Sequence, residues 1–264
     1  MQRVPRAVFG GGRVQPDDVF QLRWRAAMIE DEPQGQAPRR VVIFADTHGT
    51  GDALAKALRG LGAAVAVVRP GPNFTQTGDE FVVNVKDPAQ IAKLLAAAPG
   101  AGQLSVVTLW GLDDEAAEGV IHALNIARAL NKERLTLVTR GATSPSGEGG
   151  SLAQSALLGL QRALSLERPG LQCTSIDLDP TWPAASVADL VDELERASGA
   201  DQVALRSAGR SVARLTEVKA APVTQPARFL VGERGALESV LLHPAPRTAP
   251  GKGEVEIEVR ATGL

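Results

Sequence analysis

Apolar and polar positions along this chain follow two alternating rhythms. A continuous apolar run at "VVIFA" (41–45) and the apolar-rich runs "AAVAVV" (63–68), "EFVVNV" (80–85), "LSVVTLW" (104–110), "RLTLVTR" (134–140) and "LQCTSIDL" (171–178) read as strands buried on both faces. Between them lie segments with helical spacing. "GDALAKALRGLG" places Leu54, Leu58 and Leu61 on one side and is stopped by Gly62; "DPAQIAKLLAAAPG" opens with Asp87 as N-cap and Pro88 in the first turn. "DDEAAEGVIHALNIARAL", "SLAQSALLGLQRALSLE" and "SVADLVDELERAS" are three more helices, the first with an acidic start that suits the helix dipole. "QVALRSAGRSVARLTEV" is a closing hairpin that turns at "SAGR".

Repeated strand–helix units with doubly buried strands predict an α/β fold: a truncated Rossmann-like, doubly wound and mostly parallel sheet with helices on both sides. The ends differ. Residues 1–18 lack periodicity and read as a linker. In "FQLRWR", Phe20, Leu22 and Trp24 alternate with polar residues, the period of a half-buried strand. Past "KAAPVTQPARF" the chain turns to β chemistry, with strand-like runs at "ESVLLHP" (238–244) and "EVEIEVR" (254–260). The expected division is a linker (1–18), a Rossmann-like domain (19–220) and the short all-β opening of a second domain (221–264).

Composition narrows the chemistry. The formal net charge is −2 over 264 residues with no basic block, which argues against a nucleic-acid partner. No run reaches the ~20 apolar residues of a membrane helix, and the first residues carry no apolar signal segment, so a cytoplasmic chain is expected. Cys173, the one cysteine, reads as a buried core thiol. His48, His122 and His243 are scattered, with no carboxylate read at ligand spacing beside them, and no metal site is expected.

The turn "ADTHGTGDAL" tests for a nucleotide. Gly49 and Gly51 can take the turn and phosphate-approach roles of the dinucleotide fingerprint, but its third glycine is replaced by Leu54. Asp46 and Asp52 put negative charge where a phosphate would sit, and Asp52 reads as the helix N-cap that occupies the amides. Arg69, at the end of the next strand, suits a 2′-phosphate. An alternative therefore stands beside the capped-helix reading: an NADPH-binding short-chain-type oxidoreductase using Gly49, Gly51 and Arg69 with a proton donor other than tyrosine. A tyrosine-dependent one is excluded within these residues, because the chain contains no tyrosine and the slots near Leu152 and Ala156 hold neither member of a tyrosine–lysine pair. "SPSGEGGS" (144–151) lacks the G-x-S-x-G of a nucleophile elbow. Asp177 and Asp179, before Pro180, read as turn-shaping acids, and Trp110 and Trp182 as packing anchors.

"FQLRWR", "LWGLDD" and above all "ALLGLQRALSLERPGLQCTSIDLDP" (156–180) resemble the structural subdomain of ketoreductases in modular type I polyketide synthases. The specific part is Leu158, Gly159, Leu160, Arg162, Leu166, Glu167 and Pro169, followed by Asp177, Leu178, Asp179 and Pro180. The tail from "LVGERGALESVLLHP" onward resembles the first strands of the enoylreductase of the same assembly lines. The resemblance implies a non-catalytic scaffold that binds no cofactor itself. Its partners would be the catalytic ketoreductase subdomain and the enoylreductase of the same polypeptide, both NADPH-dependent, with the acyl carrier protein reached indirectly. Phe20, Leu22 and Trp24 are the candidate interface with the catalytic subdomain, since an apolar strand edge needs covering.

Overall fold

A computed structural model describes residues 19–28, 37, 39–113, 117–145, 147, 150–181, 186–218, 227–231, 240–246 and 248–257. The strands are β1 (Val19–Ala26), β2 (Arg40–Phe44), β3 (Ala64–Pro70), β4 (Thr75–Thr77), β5 (Glu80–Val83), β6 (Leu104–Thr108), β7 (Arg134–Arg140), β8 (Gln172–Leu178), β9 (Gln202–Arg206), β10 (Gly209–Val218), β11 (Ala227–Val231) and β12 (Val240–Pro244). The helices are α1 (Thr50–Gly60), α2 (Pro88–Ala97), α3 (Ala117–Ala129), α4 (Leu152–Glu167) and α5 (Ser186–Arg196).

Strands β1 to β10 form one sheet in the order β1-β10-β9-β8-β7-β6-β2-β3-β5-β4. Every neighbour from β5 through β3, β2, β6, β7 and β8 to β9 is parallel, while β4 and β10 join antiparallel. This is the expected Rossmann-like sheet. Its order reverses between β2 and β6, the point at which open α/β sheets expose a crevice.

Two apolar layers hold the helices to the sheet. On one face Phe44, Phe81, Leu135 and Leu137 meet Ile91 and Leu94 of α2, Ile126 of α3 and Leu164 of α4. On the other, Ile43, Val67 and Val203 meet Leu54 and Leu58 of α1 and Leu190 of α5. Helix α2 begins as its sequence requires: Asp87 accepts from the Ala89 amide, with Pro88 in the first turn. Helix α1 ends into Gly62 at φ 87°.

The chain divides into two compact units, Gln21–Thr216 and a second made of residues 1–20 and 217–264. In the second, β11 and β12 pair antiparallel, Ala227 against Pro244 through Val231 against Val240. Here the expectation needs correction. Of the two expected runs, 238–244 does hold a strand, paired with 227–231, while the described part of 254–260 does not. Residues 254–257 lie outside any strand, with Val255 and Ile257 exposed, because a strand exists only where a ladder partner is at hand. Residues 258–260, like 1–18 and Trp182, fall outside the described residues.

Candidate functional site: the crevice at the sheet's reversal point

The crevice is built from the loop after β2 (Ala45–Gly49) and the 3-10 turn after β6 (Trp110–Leu112). Gly49 is the helix N-cap at φ 89°, a left-handed conformation that costs glycine nothing, and it leaves no side chain to cap α1. The capping acceptor comes instead from Asp46, which is 1% exposed. Its carboxylate accepts from the Gly51 amide at 2.6 Å and the Thr50 amide at 3.2 Å. These are the N-terminal donors that a phosphate would use on this fold.

This corrects the reading of Asp52. Asp52 lies inside the first turn, where its side chain points outward, and it pairs with Arg69 at 2.5 Å. The guanidinium expected to meet a 2′-phosphate therefore already holds an acid. Gly51 also takes another role. A Cβ there would come within 2.6 Å of Ala45 Cβ and 2.7 Å of Ala45 Cα, so this glycine lets the start of α1 close onto the end of β2. Leu54, in the slot of the third glycine, is fully buried one turn further along α1.

The opposite wall carries a second acid. Asp113 accepts from the Thr47 amide at 2.9 and 3.0 Å, from Thr47 Oγ1 at 2.8 Å, and lies 2.9 Å from His48 Nδ1. Asp46, His48 and Asp113 thus bring potential ligand atoms within 4.8 Å of one another. The premise that no carboxylate stands near a histidine is wrong at His48: Asp46 is two residues away, and folding delivers Asp113. The carboxylates are nevertheless engaged by backbone amides. Trp110 closes the floor; its Nε1 donates to Ala45 O at 3.0 Å and its ring meets Phe44 edge-on at 5.0 Å, the packing role expected of it.

Along the sheet, the turn after β7 is organised by Asp177, which is fully buried. It accepts from Thr139 Oγ1 (2.7 Å), the Ala142 amide (2.8 Å), the Thr143 amide (3.0 Å) and Thr143 Oγ1 (2.8 Å). Arg206 of β9 balances its charge at 2.6 Å, with both side chains buried. Asp179 accepts from the Ser207 amide (2.9 Å) and from the Thr181 amide and hydroxyl (2.8 and 2.7 Å). Those bonds, the Ser207 amide foremost, lower its pKa from 3.8 to about 2. Both acids shape turns, as expected. Arg206 escaped the sequence reading, since its partner lies on another strand and no spacing links them. Cys173 is buried as expected, and burial pushes its thiol up to about 12.

At the sheet edge, Phe20 and Trp24 of β1 are partly buried and Leu22 is 40% exposed. The following Ala27 is tied in by its amide to Arg210 O (3.3 Å) and by its carbonyl to Arg210 Nη1 (3.1 Å). Arg210 in turn forms a buried pair with Glu193 of α5 at 2.6 Å. No described helix is long and apolar enough to cross a membrane.

Comparison with known proteins agrees with this architecture. The chain is 32% identical over 169 residues to one component of the phenolphthiocerol/phthiocerol polyketide synthase of Mycobacterium tuberculosis, covering 55% of this chain and 8% of that protein. It is 29% identical over 282 aligned positions to the erythronolide synthase EryA3 of Saccharopolyspora erythraea, covering 96% of this chain and again 8% of the relative. Among solved structures, the first ketoreductase of the tylosin polyketide synthase superposes with a TM-score of 0.57 at 25% identity, over 78% of this chain and 43% of that one. Residues 22–215 match the family model described as "Polyketide synthase extender module SpnB, Rossmann fold domain". The chain is a polyketide synthase ketoreductase-type region and belongs to that Rossmann fold domain family.

Proposed function

We propose that this chain is the non-catalytic structural half of a polyketide synthase ketoreductase. It supports the NADPH-dependent reduction of carrier-bound β-ketoacyl chains by a catalytic subdomain of the same cytoplasmic polypeptide. The observation that carries the reading is the Asp46 carboxylate on the Thr50 and Gly51 amides. A nucleotide pyrophosphate would have to displace a buried negative charge to reach those donors. The absence of any tyrosine supports it. So does the extent of the likeness, 43% of a solved ketoreductase, which leaves that protein a further portion of its own. Phe20, Leu22 and Trp24 on the edge strand form the contact with the catalytic subdomain, and residues 221–264 open an enoylreductase-like domain. The residues of the oxidoreductase alternative are otherwise engaged: Gly49 and Gly51 in helix geometry, Arg69 with Asp52.

The test is a calorimetric titration of the folded chain with NADPH, followed by addition of the catalytic ketoreductase subdomain. No saturable heat with NADPH and a higher melting temperature with the subdomain are expected. Saturable NADPH binding overturns the reading, as does a melting temperature indifferent to the subdomain.

A further inference from the structure

A cavity of about 540 Å³ opens at the starts of β6, β7 and β8, the end of the sheet opposite the crevice. Its origin is in the register. Strand β8 pairs with β7 from Gln172 onward, but β9 joins it only at Ser175, through Gln202. Among the described residues, 172–174 therefore have no strand on their β9 side. The return from α5 to β9, Ala197–Asp201, walls that space instead of filling it. The volume lies within the range of small-molecule sites.

One pattern repeats along the floor. On the face that carries α5, β6 shows Ser105 and then Val107, β7 Thr136 and then Val138, and β8 Thr174 and then Ile176. The aliphatic member of each pair joins the layer under α1 and α5; the hydroxyl member lines the cavity. Ser105 is 6% exposed, yet its hydroxyl has no hydrogen-bond partner among the described residues. Thr136 and Thr174 lie 3.3 Å apart, Oγ1 to Oγ1, so their one bond uses one of two protons. Buried hydroxyls without an acceptor weaken a fold, and a ligand oxygen answers them. Ile176, Val203 and Leu194 supply an aliphatic wall.

Charge narrows the ligand. Glu193, the buried carboxylate of the lining, is already held by Arg210 and Ser198. Arg134, which donates to Gln172, and the exposed Asp201 stand at the mouth with opposite signs. The interior thus offers hydroxyls and aliphatic surface without a surplus of either charge. We propose that this cavity binds an uncharged aliphatic molecule bearing two or more hydroxyl or carbonyl oxygens. It shares no lining residue with the crevice or with β1, so it stands or falls apart from the scaffold reading.

The test is a titration of the full isotope-labelled chain with methyl 3-hydroxyhexanoate, followed by amide chemical shifts. Saturable shifts centred on Ser105, Thr136 and Thr174 are expected. Two matched probes check the chemistry: methyl hexanoate, which lacks the hydroxyl, and the free acid 3-hydroxyhexanoate, which adds a charge. Each should bind about 10-fold more weakly. The double variant Ser105→Ala with Thr136→Val keeps the shape of the floor and should weaken the hydroxy ester by about 10-fold. Should that variant fail to fold by circular dichroism, Ser105→Ala alone carries the comparison, with a loss of about 3-fold. The proposal is overturned by the absence of saturable shifts, by shifts centred elsewhere, by either matched probe binding as tightly as the hydroxy ester, or by a folded variant that binds it as tightly as the wild type.

Discussion

Two strand-end turns of one sheet solve the same problem with different chemistry. After β2, the first amides of α1 are answered by Asp46, and the Thr47 amide of the loop by Asp113. After β7, the amides of Ala142 and Thr143 are answered by Asp177, and Arg206 neutralises it. The first turn holds the buried Asp46 carboxylate with amides at a helix start. The second holds an ion pair with its hydrogen bonds filled. A Rossmann-like sheet leaves donors at both places, at the start of α1 in the first and on the loop between β7 and α4 in the second. Filling both with the chain's own carboxylates makes each a fixed corner of the fold.

The comparison can be broken most sharply at the second turn. Asp177→Ala removes the acceptor for two amides and two hydroxyls and takes from Arg206 the carboxylate that balances its charge, so a loss of about 3–5 kcal/mol is expected. Asp46→Ala removes a cap from two helix amides and should cost about 0.5–2 kcal/mol. Urea unfolding of both variants measures the difference, and equal losses would mean that Arg206 contributes nothing at the second corner. Replacing both members of the pair, Asp177→Ala with Arg206→Leu, should recover part of the loss of the single variant, because the positive charge is then removed together with the carboxylate that balanced it.

A second contrast lies inside the first turn, between its glycines. Gly51→Ala drives a methyl into Ala45, a contact of 2.6 Å, and should cost about 1–3 kcal/mol as the helix is forced off the strand. Gly49→Ala meets no atom within 4 Å but must hold φ 89°, which costs about 1–2 kcal/mol. If Gly49→Ala proves the more damaging in the same unfolding assay, close packing is not what the second glycine serves.

These pairs also mark what the sequence could express. The order of the parallel strands and the helices was legible, because apolar-rich runs and 3.6-residue spacing are local signals. The Asp87–Pro88 helix start was legible for the same reason. The short strand Thr75–Thr77 carries no apolar pattern and exists through its pairing with β5. At the crevice, the residues were visible but their assignments were not. Asp46 and Asp52 both flank the turn, and which one faces the amides depends on the left-handed Gly49, a backbone fact. Asp113 read as the acidic start of a helix, yet it serves a loop 66 residues earlier in the chain. Arg206 has no local signal at all: its meaning lies in the parallel register that sets β9 beside β8.

Acid should expose the second turn by another route. Asp179 titrates near 2 in the folded protein against 3.8 when unconstrained, held down first by the Ser207 amide and then by Thr181. A folded pKa below the unfolded one gives stability that is complete above about pH 4 and is lost as the pH falls towards about 2. Wild-type stability should drop across that window, and Asp179→Asn should flatten part of the slope. An unchanged slope would show that these amides do not favour the charged form of this acid.

The smallest effect expected is a rate, at Cys173. The thiolate is the reactive form, and burial that pushes the thiol up to about 12 leaves very little of it near neutral pH. The sulfur also sits in the layer beneath α4, beside a backbone carbonyl that accepts from Gln161. A thiol-specific disulfide reagent should therefore label the native chain only as fast as the fold opens, and the unfolded chain at once. Asp177→Ala should accelerate labelling in proportion to the stability it removes, because both report the same opening when reclosing is fast. Rapid labelling of the native wild type would mean that β8 opens locally beneath α4 without help from the corner Asp177 holds, and the two turns would then guard separate parts of the sheet.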